Sequence, residues 1–399
     1  MAAFAQHGYR EDGVEAFAIA RVQLSFASII ATPTGAERFA TAFYNAMWSE
    51  STGIRSLFPA GMESMRQRFA TAVGWVVARL HEPGTVDRFL AQLARDHRKY
   101  GVEPLHYRVA GNALLAAVRE CTPLILWTAA LERTWAEVVD GVVETMATAA
   151  ATDDLPASWG ATVVGHERVL PDLAIIRLEA DSSIPYYAGQ YMSVQIPQRP
   201  HMWRYLSAAI PPNPYGQIEF HVRRVSTGWV SPALVGETAV GDRWTIGPPL
   251  GGLHVDRESG RDVLMIASGT GLAPMRAQIM EMAMRGDNPR VHLFYGGKYP
   301  CDLYDLETLW QIATTNPWLT IVPVLEEKEN PWWHPVPAKE PPTGLNRPMY
   351  GKLGKVAGQF GTWADRQIQI AGSPSMIRTT LYALSAAGTP RQNISFDPL

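Results

Sequence analysis

Two periods divide the chain. From about Gly13 to Ala150 apolar residues recur every three or four positions, the spacing of amphipathic helices, and no convincing alternating run interrupts them. Breaks fall at Pro33-Thr34-Gly35, Phe58-Pro59-Ala60-Gly61, Glu82-Pro83-Gly84 and from Gly101 to Pro104, leaving roughly six helices. Thr34 is placed to cap a helix carrying Phe39, Phe43, Tyr44, Met47 and Trp48. Met62, Met65, Phe69 and Val73 line the next. Phe89, Leu90, Leu93 and Ala94 then set His97 on or beside the buried stripe of a helix that Gly101 and Pro104 bring to a stop. Two further helices pass through Leu114 and Trp135.

After a short, polar, proline-broken stretch at 152–158 the period drops to two. Residues 161–169, 173–178, 191–196, 217–225 and 243–246 read as strands between Gly and Pro turns, and so many short strands predict a closed antiparallel β-barrel. From Arg261 strand and helix alternate. Strands at 263–267, 291–295, 320–325 and 367–371, with a helix from Met275 to Arg285, predict a doubly wound parallel sheet. The fold class is therefore multidomain α and β: all-α over 1–152, antiparallel β-barrel over 153–258 and α/β over 259–399.

Composition narrows the class. With 47% hydrophobic and 18% charged residues the chain can bury large cores, and a soluble globular protein is expected. The net charge of -3, with basic residues scattered, argues against a nucleic-acid face or a membrane-surface patch and for small-molecule partners. Cys121 and Cys301 lie far apart without metal-site spacing, so neither a disulfide framework nor a zinc site is expected, and a reducing cytoplasm fits. No basic-then-apolar leader is present, and no apolar run approaches the roughly 20 residues of a membrane span.

Two features carry candidate chemistry. A histidine at a helix end beside an apolar stripe could be the axial ligand of a haem iron or a partly buried histidine with an ordinary hydrogen bond; this stretch alone leaves both open. A glycine turn at 269–271 between strand and helix lets a phosphate approach backbone N–H groups at a helix N-terminus.

The order Phe43-Tyr44, Leu57-Phe58-Pro59, His97 with Gly101-Val102, then Tyr107 and Gly111-Asn112-x-Leu114-Leu115 resembles the globin domain of bacterial flavohaemoglobins over the whole helical part. The resemblance implies a haem b held by His97, with the Tyr44 hydroxyl aimed at its ligand and Phe43, Phe58 and Tyr107 around it. Three positions depart from the family. Met65 stands where a glutamine is usual and donates no hydrogen bond. Phe69 replaces a smaller aliphatic residue, and Ala150 stands where a glutamate would support the proximal histidine. A bulkier, less polar pocket with Tyr44 as its one donor, and a less basic His97, are expected.

Downstream, Trp203-Arg204-Tyr205-Leu206-Ser207 resembles the Arg-x-Tyr-Ser motif of ferredoxin-reductase-like flavin domains, implying Arg204 on the FAD pyrophosphate and Ser207 at the flavin edge. Gly189-Gln190-Tyr191 is similar to a flavin-contacting strand, and the turn through Gly228, Val230 and Ser231 to one binding FAD phosphates. Leu206 aligns with the family's flavin-stacking tyrosine. Neighbours on a strand face opposite ways, so Tyr205 should not simply replace it, and weaker flavin binding or an altered potential is expected. Gly269-Thr270-Gly271-x-Ala273-Pro274 and Ala371-Gly372-Ser373-Pro374 resemble the family's nicotinamide-nucleotide turns, with Ala371 in place of cysteine. Asp302-Leu303-Tyr304 and Phe396-Asp397-Pro398 fit as well. Lys298 reads as a surface lysine or a 2′-phosphate contact, so NAD(P)H is written without choosing. The implied activity is electron flow from NAD(P)H through FAD to haem, for oxidation of nitric oxide to nitrate with O2. The alternatives are a divergent flavohaem oxidoreductase with another donor or acceptor, and a haem gas or redox sensor whose reductase keeps the iron ferrous.

Overall fold

The computed structural model describes residues 12–32, 34–58, 61–334 and 344–397. The chain forms two compact units, Met1–Ser158 and Trp159–Leu399.

The first unit is helical: α1 (Asp12–Ile30), α2 (Gly35–Glu50), α3 (Glu63–Ala78), α4 (Pro83–His97), α5 (Pro104–Cys121) and α6 (Ala129–Ala151), with 3-10 turns at Thr52–Leu57 and Arg98–Tyr100. Apolar stripes meet in one core that includes Phe26, Phe39, Val118 and Trp135. Trp135 buries its indole and satisfies the Nε1–H by donating to Ser25 Oγ at 2.9 Å. The sequence expectations need two corrections here. Thr34 occupies the cap position of α2 but makes no side-chain bond, because its backbone is already helical (φ -100, ψ -1) instead of extended. Pro104 does not close the His97 helix; Gly101, left-handed at φ 76, does so, and Pro104 opens α5, where its missing N–H costs nothing. Pro33, Pro59 and Ala60 lie outside the described residues.

The second unit begins with β1 (Trp159–Leu170), β2 (Leu173–Ala180), β3 (Tyr191–Gln195), β4 (Arg204–Ser207), β5 (Gln217–Arg223), α7 (Val230–Gly236) and β6 (Arg243–Leu250). The strands are antiparallel in the order β4-β3-β6-β1-β2-β5, and a bridge between Ala208 and Phe220 joins the two edges into a barrel. β6 runs past Ile246 to Leu250 because Tyr191 of β3 pairs with Leu250, which extends the strand through two prolines.

There follow β7 (Val263–Ser268), α8 (Leu272–Ala283), β8 (Val291–Gly297), α9 (Leu306–Thr315), β9 (Leu319–Leu325), β10 (Met349–Tyr350), α10 (Leu353–Gly358), β11 (Gln367–Ala371), α11 (Pro374–Ala386) and β12 (Ile394–Ser395). The sheet is parallel in the order β10-β9-β8-β7-β11-β12, with apolar cores on both faces, so β7 is apolar at every position from Val263 to Ala267. The two-residue edge strands β10 and β12 are too short to show a period. α8 starts at Leu272, three residues before the expected Met275, and keeps Pro274 in a first turn whose N–H groups have no helical acceptor. Among the described residues no single helix is long and apolar enough to cross a membrane.

Candidate functional site

His97 is the last residue of α4, whose Val86, Leu90 and Ala94 are buried one turn apart and anchor the helix in the core. Its ring lies nearly parallel to that of Tyr107 on α5, centroids 6.4 Å apart and planes at 18°. The Tyr107 hydroxyl donates to the Ala94 carbonyl at 3.2 Å, satisfying one of the carbonyls that a helix end leaves open and fixing the two rings together. Burial, with a contribution from Lys99 and against the pull of Asp96, lowers the His97 pKa to about 4. The imidazole is neutral at pH 7, the state a metal ligand needs.

Around it the helix end is charged. Asp96 is buried and meets the Lys99 ammonium at 2.5 Å. Ala150, at the place of the expected glutamate, is partly buried against the apolar core. Asp96 is thus the carboxylate nearest in sequence to His97, committed to a lysine three residues on. Arg98 clasps the segment after α6, meeting Asp153 at 2.6 Å and donating to the Leu155 carbonyl at 2.7 Å.

Phe43 and Tyr44 sit on the buried face of α2. Phe69 of α3 stacks on Phe43 at 3.9 Å, and Tyr44 packs edge-on to Phe58 at 5.6 Å. The pocket side of α2 and α3 is therefore aromatic and closely filled, as the bulky Phe69 suggested. Burial raises the Tyr44 pKa, opposed by the charge of Arg66, so its hydroxyl keeps its proton and remains a donor. Met65 is partly buried against the same core. Its neighbour Arg66 was not foreseen: its Nε–H is buried and has no hydrogen-bond partner among the described residues. A neutral imidazole, aromatic walls and an unpartnered cationic donor form a set suited to haem.

In the barrel, the β3–β4 register pairs Tyr191 with Ser207, Met192 with Leu206, Ser193 with Tyr205 and Val194 with Arg204. Alternation brings Tyr191, Tyr205 and Ser207 to one face, where the two tyrosine rings meet edge-on at 5.3 Å. Leu206 turns the other way and packs on the barrel core. Arg204 donates to the Trp203 carbonyl at 2.8 Å. In the following turn Gly228 N–H donates to Val225 O at 3.0 Å and the Ser231 hydroxyl accepts from Val225 N–H at 3.0 Å, while Val230 is wholly buried. The side chains of Val230 and Ser231 are thus used within the fold, while Ser226, Thr227 and Trp229 of this turn are exposed. Asp397, part of the C-terminal motif, accepts from Gly252 N–H at 3.0 Å, and a side chain at Gly251 (φ 90) would strike both it and the Tyr191 ring at 2.8 Å. Burial raises the Asp397 pKa to about 6. Phe396 beside it lies under the Arg391 guanidinium at 4.8 Å.

Between β7 and α8, Gly269 adopts φ 56 with open space where a side chain would stand, while a Cβ on Gly271 would come 2.4 Å from the Ala371 carbonyl. The turn Gly269-Thr270-Gly271 thus abuts Ala371-Gly372 and offers bare backbone beside it. These are features that fit a nucleotide pyrophosphate. Ser373 caps α11 by accepting from Met376 N–H at 3.3 Å, with Pro374 as first helical residue. Lys298 is exposed, its ammonium over the Tyr299 ring at 4.8 Å.

Comparison with known proteins follows this division. Residues 41–146 match the globin family, 160–255 the oxidoreductase FAD-binding domain and 265–336 the oxidoreductase NAD-binding domain. A ferredoxin–NAD(P)+ reductase of Metapseudomonas resinovorans is 31% identical over 238 residues, 59% of this chain and 68% of the relative. The flavohemoprotein of Bordetella pertussis is 27% identical over 279 residues, covering 63% and 68%. The crystal structure of a flavohemoglobin from Malassezia yamatoensis with bound FAD and heme superposes over 95% of this chain and 98% of its own with a TM-score of 0.74, and at 14% identity it shows the shared fold. The chain spans about half the length of the phenol hydroxylase reductase proteins it also matches, 51% and 46%.

Proposed function

Because the chain belongs to the flavohaemoglobins, a globin joined to FAD- and NAD-binding oxidoreductase domains, we propose that it uses NAD(P)H to convert nitric oxide, with O2, to nitrate. The observation that carries this reading is His97 at the end of α4, its ring held parallel to that of Tyr107, in the same helical unit as the buried Tyr44 of α2. When bound, NAD(P)H and FAD would supply electrons one at a time and haem b the iron for the reaction of O2 with nitric oxide, which takes up one electron per nitrate formed.

The chain's own residues then take these roles. His97 gives its neutral imidazole to the iron, and Tyr107 fixes the plane of that ring. Tyr44 keeps its proton throughout the physiological range and donates it as a hydrogen bond to an oxygen ligand. Arg66 adds a second, charged donor on α3, where Met65 has none. Phe43, Phe58 and Phe69 exclude water. Arg204 would neutralise the FAD pyrophosphate, the turn at Gly228 would meet phosphate, Ser207 would take the flavin edge and Tyr191 would lie against the flavin, while Tyr205 packs on Tyr191 on the face opposite Arg204. Phe396 closes the nucleotide side. The turns Gly269-Thr270-Gly271 and Gly372-Ser373 receive the nicotinamide nucleotide, with Pro274 and Pro374 setting their helices. We assign residues 1–152 to the globin, 153–258 to FAD and 259–399 to NAD(P). Cys121 and Cys301 are unpaired, in keeping with a cytoplasmic location.

Anaerobic mixing with NADH or NADPH, following flavin and haem absorption, tests the first half. Flavin bleaching followed by haem reduction is expected; bleaching alone would remove electron transfer to the globin. Rapid loss of nitric oxide on mixing with the oxygenated protein tests the second half. Persistence of nitric oxide would leave a flavohaem oxidoreductase with another acceptor.

A further inference from the structure

The barrel and the parallel sheet share one compact unit, and the face between them is polar. On β5 the apolar Ile218, Phe220 and Val222 fill the barrel, so Glu219, His221 and Arg223 point outward. An outward strand face is ordinarily wet, yet Glu219 and His221 are only 5% and 4% exposed. Residues of the nucleotide domain cover them. His221 Nδ1 lies 2.7 Å from the Tyr304 hydroxyl and its Nε2 3.1 Å from Glu219 Oε1. Arg223 meets Asp302 at 2.8 Å. Arg276 of α8 makes three contacts, with Glu219 at 3.0 Å, with Asp305 at 2.7 Å, and as donor to the Ala209 carbonyl at 2.7 Å.

These contacts join the two candidate cofactor strands. Ala209 lies two residues beyond Ser207, and its N–H donates to Glu219 O at 2.8 Å. Arg276 lies in the second turn of α8, whose start is the Gly269–Gly271 turn, and Gly271 in turn touches Ala371. Burial would raise the Glu219 carboxyl, but the hydrogen bond from His221 and the charge of Arg276 hold it at about 2, so this carboxylate stays charged at neutral pH. An apolar face would hold the domains as firmly and tolerate a slide. The Tyr304–His221–Glu219 chain and the Arg276 bond to the Ala209 carbonyl are directional, and with the ion pairs of Arg276 beside them they favour one register.

We propose that Arg276 and the Tyr304–His221–Glu219 chain are positioning residues for hydride transfer. They hold the nucleotide turn at a fixed offset from the strand that carries Ser207. The inference rests on the nucleotide-to-FAD half of the function proposed above and is independent of the haem chemistry.

Tyr304→Phe removes one hydroxyl and keeps the ring, and Arg276→Lys keeps the charge but cannot reach the Ala209 carbonyl and both carboxylates at once. In the full-length protein with FAD and haem bound, anaerobic rapid mixing with NADH and with NADPH separates the nucleotide dissociation constant from the flavin reduction rate. Hydrogen exchange at residues 207–209 and 271–276 reads the register without turnover. We expect both variants to reduce flavin about tenfold more slowly or worse. Nucleotide affinity and bound FAD should stay within about twofold, and both segments should exchange faster. A smaller loss of rate per bound FAD, weakened nucleotide affinity as the whole effect, or unchanged exchange overturns the proposal. A wild-type flavin that neither nucleotide reduces overturns it together with the electron-flow reading. Failure to consume nitric oxide ends the dioxygenase reading and leaves this one standing.

Discussion

Around His97 the groups are held by packing, whereas on the outward face of β5 they are held by charge. Tyr44 is fixed by aromatic neighbours and His97 by the parallel ring of Tyr107. Arg276, by contrast, is fixed by Glu219, Asp305 and a backbone carbonyl. Packing forgives a change of shape better than a change of polarity, since apolar neighbours relax around a smaller side chain. A buried ion pair behaves in the opposite way. Removing one partner strands the other, and the cost falls on whatever charge remains.

Substitutions can press on each side of this contrast. The largest effect is expected from His97→Ala, which should abolish stable haem binding in a titration of the apoprotein while far-ultraviolet circular dichroism stays unchanged; full haem retention with an unaltered spectrum would remove the metal role. Next comes Arg276→Met, which leaves Asp305 without its ion-pair partner and Glu219 with only Arg177 and His221, and should cost about 3 kcal/mol in denaturant unfolding of the second unit, with no change in the first. If Arg276→Met matches wild type, charge does not hold that face.

Two carboxylates should then tilt stability in opposite directions with pH. Glu219, held down at about 2, stabilises the fold above its unfolded value, and that contribution fades as pH falls toward 2. Asp397, raised to about 6, is the reverse case: the folded state favours its protonated form below its unfolded value and loses that advantage as pH rises through 6. Asp397→Asn should therefore stabilise the protein above pH 6 by up to about 2 kcal/mol, discounted for its partial exposure, and the gain should vanish near pH 4. A pH-independent difference in melting temperature would contradict this. The smallest effect concerns helix ends. Thr128 accepts from Leu131 N–H at 3.2 Å and caps α6, so Thr128→Ala should cost about 1 kcal/mol. Thr34→Ala, where no cap bond exists, should cost under about 0.5 kcal/mol by the same unfolding assay.

The sequence is unevenly informative about these two regions. His97, Tyr44 and Phe69 stand on helices whose spacing of apolar residues is visible along the chain, and a histidine at a glycine-closed end is conspicuous. Arg66 was passed over because a lone arginine on a helix reads as a solvated side chain; only its unpartnered Nε–H distinguishes it. On β5 the alternation Ile218-Glu219-Phe220-His221-Val222-Arg223 correctly separates inside from outside. What it cannot express is that another domain covers the outside, since Tyr304, Asp305 and Arg276 lie more than fifty residues further on. The Tyr205 and Leu206 orientations were legible from strand alternation alone, while the meeting of Tyr191 with Tyr205 required the register of two strands. Asp397 was noticed as part of a terminal motif. Its place beside Gly251 follows from the chain's return to the barrel, which no local pattern records.

The outward face of β5 also has a consequence for inheritance. A recombination that brought a different nucleotide domain to this barrel would deprive Glu219, His221 and Arg223 of Arg276, Tyr304 and Asp302, leaving them only their partners within the barrel, unless the newcomer carried an arginine, a tyrosine and an acid at matching places. The two domains should therefore travel through evolution as one cassette, and crossover points that yield folded hybrids should fall before β1 far more readily than between β6 and β7.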